Sequence, residues 1–196
     1  MKIDLLTGSS QKMYGPKGAA CLYIRQGVII EPILHGGGHE KGLRSSTSNV
    51  PAIVGFAKAC DIYVKEGQKE NTRISQLRDL LIKSILKNIP KTYLNGHPTQ
   101  RLANNVNISF NGVEGESLVM ELDFNGIAVS TGSACSSRTL MPSHVLTAIG
   151  LPPQEAHGSL RISLGRWTTR KDIDDTVKII TRVVNKLRKI SPLANF

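Results

Sequence analysis

The chain has 196 residues, 40% of them hydrophobic, which suits one large domain or a small domain joined to part of another. This apolar content can build a core, so wholesale disorder is excluded, and no apolar run approaches the roughly 20 residues that span a bilayer. The net charge of +10 would permit nucleic-acid binding, but the lysine and arginine residues are scattered, so charge gives that function little support. The opening segment "MKIDLLTGSS" has too short an apolar stretch for a secretory signal, so we expect a cytoplasmic protein.

The first third of the sequence predicts two strands, a long loop and a helix. Residues 3–7 and 19–25 have the composition of strands, and the "YGPKG" turn between them predicts a hairpin-like reversal. Residues 31–51 contain too much glycine and serine for a helix or strand, and long ordered loops of this kind usually carry function. Pro51 suits the first turn of a helix, which the apolar spacing continues over residues 52–67.

The rest of the sequence predicts alternating helices and strands. A separate helix over residues 68–88 places Ile74, Leu81 and Ile85 on one face and ends at the "NIP" segment. The segment "TTRKDID" offers a threonine cap and acidic residues to the first turns of the last helix. Further strands are expected at residues 93–94, 106–110, 127–130 and 160–164, and further helices at residues 116–124, 142–149 and 170–190.

This pattern divides the chain into two parts. Residues 1–65 form an α/β piece that is too short to close a sheet by itself, which is typical of the tail of a larger domain. Residues 66–196 combine helices and strands in the manner of a small α+β domain.

Lys12 lies in the segment "SSQKMYGPKG" beside small polar residues. A lysine becomes a nucleophile at neutral pH when an enclosed polar site lowers its pKa, as Schiff-base lysines require. Ser9, Ser10 and Gln11 could donate hydrogen bonds to an anion such as a phosphate ester. The same residues also fit an ordinary surface lysine beside a turn, and the spacing is not that of a Walker phosphate loop.

The histidine and cysteine patterns do not favour a metal site. His35 and His39 are separated by three glycines, each of which costs up to about 1 kcal/mol in a helix, so a shared helical face for zinc is disfavoured. These glycines would instead let the backbone approach a ligand, and Arg44 offers a guanidinium for a phosphate or carboxylate. Cys21 and Cys60 have apolar neighbours and are expected to be buried and inert.

Cys135 and Arg161 are the other two candidate functional residues. Small residues flank Cys135 in "STGSACSSRTLMPSHVL", and this uncovered setting favours a reacting cysteine over a packing one. No neighbouring base is evident, so activation of the thiol would have to come from the site or the substrate. Arg161 lies in the predicted strand "SLRISLGRW" between apolar neighbours, where its charge needs a partner, either an internal carboxylate or a substrate carboxylate.

Four segments, in order along the chain, together resemble the cysteine desulfurases, the pyridoxal-phosphate (PLP) enzymes that take sulfur from L-cysteine. The segment "SSQKMYGPKGAACLYIR" resembles the family's Schiff-base lysine segment, and "LHGGGHEKGLRSSTSNVPAIVGFAKA" resembles its glycine-rich loop and following helix. The segment "VSTGSACSSRTLMPSHVLTAIG" resembles the mobile catalytic-cysteine loop, and "GSLRISLGRWTTRKDID" resembles the substrate-arginine strand. The resemblance implies an α/β fold, namely the C-terminal part of PLP-dependent transferase fold type I. Residues 1–65 would end the large PLP-binding domain, and residues 66–196 would form the small domain.

The resemblance also implies how the cofactor is held. Lys12 would form the Schiff base with PLP. Ser9 and Gln11 would contact the cofactor phosphate, and Thr47 would reach the phosphate of the neighbouring subunit in a homodimer.

For the substrate, the resemblance implies that Arg161 holds the carboxylate of L-cysteine. Cys135 would attack the substrate sulfur and carry it as a persulfide on the loop formed by residues 133–141. That loop would deliver the sulfur to an acceptor protein, such as an iron–sulfur scaffold or a thiolation relay. The attack requires a thiolate, so the pKa of Cys135 must be depressed or its proton must be transferred.

Two departures from the family pattern shape these expectations. The family has a histidine immediately before the lysine, whereas Gln11 can donate to a phosphate but cannot titrate. The family's lysine lies mid-chain, whereas here it is residue 12. We therefore expect desulfurase activity to need an N-terminal half. The alternative is a catalytically inactive truncated homologue that acts as a dimerisation or sulfur-acceptor docking module.

Overall fold

The structure, a computed structural model, describes residues 2–131 and 143–191 and separates into two compact units. Unit 1 comprises residues 1–68 and unit 2 comprises residues 69–196. Within the described ranges, no helix has both the length and the apolar composition required to cross a bilayer. The elements are β1 (Leu5–Ser9), a 3-10 helix (Ser10–Met13), β2 (Ala20–Ile24), a second 3-10 helix (His39–Gly42), α1 (Val50–Asn88), β3 (Thr92–Leu94), β4 (Asn105–Phe110), α2 (Gly115–Asp123), α3 (His144–Ala148), α4 (Pro153–His157), β5 (Ser159–Ser163) and α5 (Arg170–Ile190).

Unit 1 contains the predicted hairpin. Strands β1 and β2 pair antiparallel, with Leu5 opposite Ile24 and Ser9 opposite Ala20, so the two predicted strands are confirmed. The small apolar cluster of this unit consists of Ala19, Ala52 and Phe56, with Met13 and Cys60 packed against it.

The hairpin carries large apolar side chains that remain exposed on both of its faces. Leu6 and its cross-strand partner Tyr23 are exposed by 54% and 52%, and on the opposite face Leu22 is exposed by 47%. Cys21 is exposed as well, so the expectation that it is buried is wrong, because it lies on this uncovered hairpin. Strands that are apolar on both faces are typical of a sheet that is covered on both sides.

Helix α1 is one continuous helix of 39 residues, Val50–Asn88, where the sequence predicted two. The prediction placed a break near Gly67. A single glycine costs only about 1 kcal/mol in a helix, and the residues on either side of it are good helix formers without proline. The helix therefore continues through Gly67, and the boundary between the units falls inside it, after Gln68.

Unit 2 is built on a three-stranded antiparallel sheet in the order β3–β4–β5. Alternate residues of the two longer strands, among them Ile108 and its cross-strand partner Leu160, are fully buried and face the helices. The buried core of this unit comprises Ile74, Leu81, Ile82, Ile85, Ile89, Val106, Ile108, Phe110, Val113, Leu118, Leu122, Leu160, Ile162, Leu164, Ile173, Val177, Ile180, Val183, Val184 and Leu187.

The strand predicted at residues 127–130 does not form. Ile127 donates its N–H to Leu122 O at 3.0 Å, in a helix-ending turn where Gly126 has φ of 76°. The chain therefore reaches β5 only at Ser130, which forms an isolated antiparallel bridge with Arg161.

The last helix begins as predicted. Thr169 is the N-cap of α5, its hydroxyl accepts a hydrogen bond from Asp172 N, and the Asp172 carboxylate accepts one from Thr169 N, which completes a capping box. The short helix α4 (Pro153–His157), with proline in its first turn, was not predicted.

Candidate functional site

Lys12 lies in the 3-10 helix that follows β1 directly. Hydrogen bonds fix both ends of this turn, because Ser10 N donates to Ala19 O at 3.1 Å and Gly15 N donates to Ser10 O at 3.0 Å. Tyr14 ends the turn in the left-handed region with φ of 63°, which is uncommon for a residue other than glycine. The backbone that carries Lys12 therefore has a single defined path.

Two glycines allow this turn to lie directly on the first half of α1. A Cβ atom at Gly15 would clash with Ser10 Oγ and lie 3.2 Å from Ala59 Cβ, and a Cβ atom at Gly55 would lie 2.7 Å from Pro16 Cγ. Real Cβ atoms essentially never approach other atoms as closely as the Gly55 case would require. Gly15 and Gly55 thus set the distance between the Lys12 turn and the helix.

One side chain of the Lys12 turn is buried, and the others are exposed or half-buried, so that they can contact a ligand. Ser10 is fully buried, so it cannot donate outward as the sequence suggested, and its Oγ has no hydrogen-bond partner among the described residues. Gln11 and Lys12 are exposed, and Ser9 is half-buried. Neither a side-chain hydrogen bond nor an ion pair to another described residue occupies Ser9, Gln11 or Lys12. One amine and two neutral donors are therefore free on one turn.

Thr47 lies in the same unit, in the loop that precedes α1, and its side chain is exposed. Two residues earlier, Ser45 Oγ donates to Gly37 O at 2.6 Å, which joins the two arms of this loop. Glu40 and Lys41 adopt left-handed conformations with φ of 50° and 59°, so the second 3-10 helix is kinked. The hydroxyl of Thr47 makes no hydrogen bond to any described residue, those of the Lys12 turn included.

Arg161 belongs to unit 2 and lies on β5. Its neighbours Leu160 and Ile162 point into the core, so Arg161 lies on the opposite face of the sheet. Its Nε is buried and has no hydrogen-bond partner among the described residues, and none of their carboxylates forms an ion pair with the guanidinium. Of the two partners that the sequence left open, an internal carboxylate is therefore absent from the described part of the chain.

The face of the sheet around Arg161 is polar. Asn95, Asn107, Arg161 and Ser130 occupy one row across the sheet, because each is the register partner or bonded neighbour of the next. Asn95 is 5% exposed, and its Nδ2 donates to Asn107 Oδ1 at 2.7 Å and to Ser109 Oγ at 2.9 Å. The described residues of this row are therefore hydrogen-bonding groups together with the Arg161 guanidinium.

The remaining sequence-predicted residue, Cys135, lies outside the described residues, as does the loop formed by residues 133–141. The structure brings Ser9, Gln11 and Lys12 together on one turn of unit 1. Across residues 2–131 and 143–191, no three histidine, cysteine, aspartate or glutamate residues cluster as metal ligands would.

The sequence pattern of the aminotransferase class-V family matches residues 1–176 of the chain. The chain belongs to this family. The class-V match includes both units, so it spans the Lys12 turn and the Arg161 strand alike.

Three individual proteins are similar to this chain. A protein described as cysteine desulfurase IscS 1, from Archaeoglobus fulgidus, is 55% identical over 97% of this chain and 50% of its own length. A solved structure described as a NifS-like protein superposes with a TM-score of 0.84 at 35% identity, over 94% of this chain and 47% of that one. The structure of SspA in complex with cysteine superposes with a TM-score of 0.60 at 31% identity, over 85% of this chain and 45% of that one.

These similarities confirm the mixed α/β fold that the resemblance implied. The chain spans about half the length of the curated class-V relatives it matches, since the first of them is covered over 50% of its length. The similarity to a protein described as a cysteine desulfurase and to a NifS-like structure confirms the family resemblance that the four sequence segments indicated.

The polar row around Arg161 contains functional candidates that the sequence reasoning missed. Asn95 and Asn107 were not singled out, although the pattern of β4, "NVNISF", alternates polar and apolar residues. That alternation places Asn107 and Ser109 on the face opposite the core, which is the face of Arg161. Reading the two strands in register would have found this polar face.

Proposed function

We propose that this chain forms part of a PLP-dependent cysteine desulfurase, which converts L-cysteine to L-alanine and passes the sulfur to an acceptor protein. The observation that carries the proposal is the Lys12 turn, where an amine and two neutral donors that have no partner among the described residues project from a backbone held against α1. The similarity to a protein described as a cysteine desulfurase, at 55% identity, supports it.

The residues of the turn fit PLP by their chemistry. The Lys12 amine can attach the cofactor's aldehyde carbon covalently, and Ser9 and Gln11 can donate hydrogen bonds to its phosphate. Thr47 is proposed to donate to the phosphate held by a partner subunit in a homodimer. When bound, PLP supplies an electron sink for the substrate Cα, which no side chain provides. The Lys12 amine, once free, is placed to accept and return a proton at its Nζ.

Arg161 is proposed to bind the carboxylate of L-cysteine. Its buried Nε lacks a partner among the described residues, and a guanidinium in such a site gains a strong, charge-assisted pair of hydrogen bonds from a carboxylate. The similar protein SspA was solved in complex with cysteine, which supports this class of ligand.

Cys135 is proposed to accept the sulfur. Its thiolate attacks the substrate sulfur, so an S–S bond forms while the bond between that sulfur and the substrate Cβ breaks. The electron pair of the broken bond stays with the carbon fragment, which leaves as L-alanine after protonation. Cys135 then holds a persulfide for the acceptor protein.

The activity is proposed to require the half of the class-V relatives that this chain does not match. Residues 1–65 would be the tail of the PLP-binding domain, and residues 66–196 the small domain. The exposed apolar side chains on both faces of the hairpin, including Leu6 and Leu22, support a covering by further sheet and helices. Exposed Cys21 and half-buried Cys60 are free thiols, which agrees with a reducing compartment such as the cytoplasm.

The test is attachment of PLP to Lys12. The chain is mixed with PLP, alone and with a polypeptide corresponding to the unmatched half of its relatives, then reduced with borohydride and mapped by mass spectrometry. We expect the phosphopyridoxyl group on the Lys12 peptide, and none on that peptide in Lys12→Ala. Lys17→Ala is the matched control, because Lys17 is an exposed lysine of the same segment and should not alter attachment.

Attachment at another lysine, or equal loss in both variants, would contradict the assignment of Lys12. No attachment under either condition would reject the desulfurase proposal. It would favour the docking-module alternative, to which the exposed hairpin would then contribute the binding surface.

For Cys135, the matched control is Cys21→Ser, since Cys21 is an exposed thiol elsewhere in the chain. With L-cysteine and the complementing polypeptide, Cys135→Ser should lose the persulfide while still attaching PLP. A protein persulfide formed at the unaltered rate in Cys135→Ser would reject this role.

A further inference from the structure

The register of the sheet brings Asn107 and Arg161 side by side. Phe110 N donates to Gly158 O at 2.9 Å and Leu164 N donates to Asn104 O at 2.9 Å, so the even-numbered pairs between β4 and β5 are the hydrogen-bonded ones. Asn107 and Arg161 therefore form a non-hydrogen-bonded pair, in which side chains lie closest, with Cβ atoms about 4.5–5.5 Å apart.

Asn95 fixes the orientation of the Asn107 amide. Asn95 Nδ2 donates to Asn107 Oδ1 at 2.7 Å, and Asn95 N donates to Asn107 O at 2.9 Å. Because the amide oxygen of Asn107 is engaged on the β3 side, its NH2 group is turned away from Asn95. Neither N–H of that group has a partner among the described residues, so two donors remain free beside Arg161.

Asn95 is itself held by a cationic network. Arg101 Nη2 donates to Asn95 O at 3.1 Å, and Arg78 Nη1 donates to Leu102 O at 2.9 Å, which ties this loop to α1. Burial, followed by the charge of Arg78, lowers the pKa of Arg101, and Asp79 opposes this shift only in part. The hydrogen bond from Arg101 thus holds the Asn95 end of the polar row, and the guanidinium of Arg101 places a positive charge next to that end.

Donors dominate the row, and this composition identifies the ligand class. Ser130 Oγ is already committed, because it donates to Thr131 O at 2.9 Å. Within the described residues of this row, the donors without a partner are the guanidinium of Arg161 and the amide N–H groups of Asn107, which together match the lone pairs of a carboxylate.

We infer that Asn107 is a second binding residue for the carboxylate taken by Arg161, and that Asn95 is the positioning residue that orients it. The inference rests on the role proposed above for Arg161 and extends it. Arg161 supplies charge, and Asn107 supplies two directed neutral donors that favour a carboxylate over a neutral group at the same position.

The test follows the Nε–H signal of Arg161 by NMR in the isotope-labelled full chain, with Arg161→Lys to assign that signal. We expect propionate to shift the signal and propionamide, its neutral analogue, to leave it unchanged. Asn107→Ala should weaken propionate binding by at least about tenfold, because the loss of even one hydrogen bond to a charged group has an effect of this size. Asn105→Ala is the matched control, because Asn105 lies on the same face of β4, opposite the exposed Ser163, and it should leave binding unchanged.

Asn107→Asp guards against a folding defect, because it keeps the size of the side chain. Its carboxylate would pair with Arg161, so propionate binding should be lost while the far-ultraviolet circular dichroism stays unchanged. Asn105→Asp adds the same charge one row away and should bind propionate nearly as well as the original chain.

A double-mutant cycle tests Asn95 as a positioning residue. Asn95→Ala should weaken propionate binding in the original chain but have little further effect in the Asn107→Ala background, a coupling that a purely structural role would not produce. Unchanged affinity in Asn107→Ala, equal loss in Asn105→Ala, or no propionate-induced shift at all would overturn the inference.

This experiment needs no PLP, so it separates the two proposals. Propionate binding with the expected variant pattern, together with failed attachment of PLP at Lys12, would reject the desulfurase and leave the carboxylate site standing. Attachment at Lys12 without propionate binding would reject only the site.

Discussion

The two units of this chain bury their apolar residues to different extents. In unit 2, Leu81, Ile85 and Phe110 are exposed by no more than 1%, whereas the largest buried apolar residue of unit 1, Phe56, retains 9%. Both units contain paired strands, but among the described residues the unit 2 sheet packs on a large core, whereas the buried apolar cluster of unit 1 is small. Unit 1, which carries Lys12, therefore gains less stabilisation from its own buried apolar residues than unit 2, which carries Arg161.

The backbone path of the Lys12 turn in unit 1 is defined without a large core. The Lys12 turn is held by hydrogen bonds and by the close approach that Gly15 and Gly55 permit. Hydrophobic burial contributes about 25 cal/mol per Å², and the exposed apolar side chains of the hairpin contribute little of it within this unit.

The largest expected effect is a loss of stability that differs between the cores of the two units. Phe110→Ala should lower the free energy of unfolding by about 3–5 kcal/mol, because it empties a fully buried site. Phe56→Ala, the same substitution in unit 1, should leave the main unfolding transition nearly unchanged. Urea titration followed by circular dichroism measures both. Equal destabilisation by the two variants would show that the units unfold as one.

The next effect breaks unit 1 alone. Gly55→Ala forces a Cβ atom to within 2.7 Å of Pro16 Cγ, and overpacking of this kind costs about 1–3 kcal/mol. Peptides of β1 and β2 should then exchange amide hydrogens faster, with those of β4 and β5 unchanged, and PLP attachment at Lys12 should weaken.

Gly38→Ala is the control for this prediction, because a Cβ atom there meets nothing within 4 Å and φ is −77°. Faster exchange in β4 and β5 of the Gly55→Ala variant would refute the independence of the units.

A smaller effect belongs to unit 2. Thr169→Ala removes the N-cap of α5 and should cost about 1 kcal/mol of unfolding free energy. Urea titration should show this loss, while hydrogen exchange in the hairpin of unit 1 should not change. Thr169→Ser keeps a capping hydroxyl and should retain most of the stability; a loss equal to that of alanine would exclude the capping role.

The smallest effect is a dependence of unit 2 stability on acid pH. Hydrogen bonds from the backbone and side chain of Thr169 lower the pKa of Asp172, and Lys171 lowers that of Asp175. A carboxyl group with a lowered pKa in the folded state stabilises above its ordinary pKa of about 4, and this contribution is lost as pH falls below that value. Melting temperatures should therefore fall from pH 5 to pH 3 less steeply in Asp172→Asn, and an identical slope would contradict the assignment.

The sequence predicted best where one side of an element is buried. The strands expected at residues 106–110 and 160–164 and the helix expected at residues 170–190 are all present, and in each of them burial of one face enforces a regular spacing of apolar residues. Arg161 was singled out by its apolar neighbours in the strand, whereas Lys12 was singled out by the small polar residues beside it.

Prediction from the sequence failed for features that depend on contacts distant in sequence or on small differences in local free energy. The exposure of Cys21 depends on what covers the hairpin, and the continuity of α1 through Gly67 depends on a balance of about 1 kcal/mol. Ser130 pairs with Arg161 in a single isolated bridge, and one bridge produces no repeating pattern of apolar residues from which it could be predicted. The orientation of Asn107 comes from Asn95, which directly follows β3, so it emerges only from the pairing of β3 with β4.

The contact between the Lys12 turn and α1 sets an order of events during synthesis of the chain. Gly15 and Pro16 pack against Ala59 and Gly55, which lie far downstream in sequence. Contacts between residues so distant along the chain form late, because the intervening loop must first be closed at an entropic cost. A nascent chain therefore displays Lys12 on a turn held only by its local hydrogen bonds until the first turns of α1 have emerged and folded, and only then does the turn gain its support from the helix.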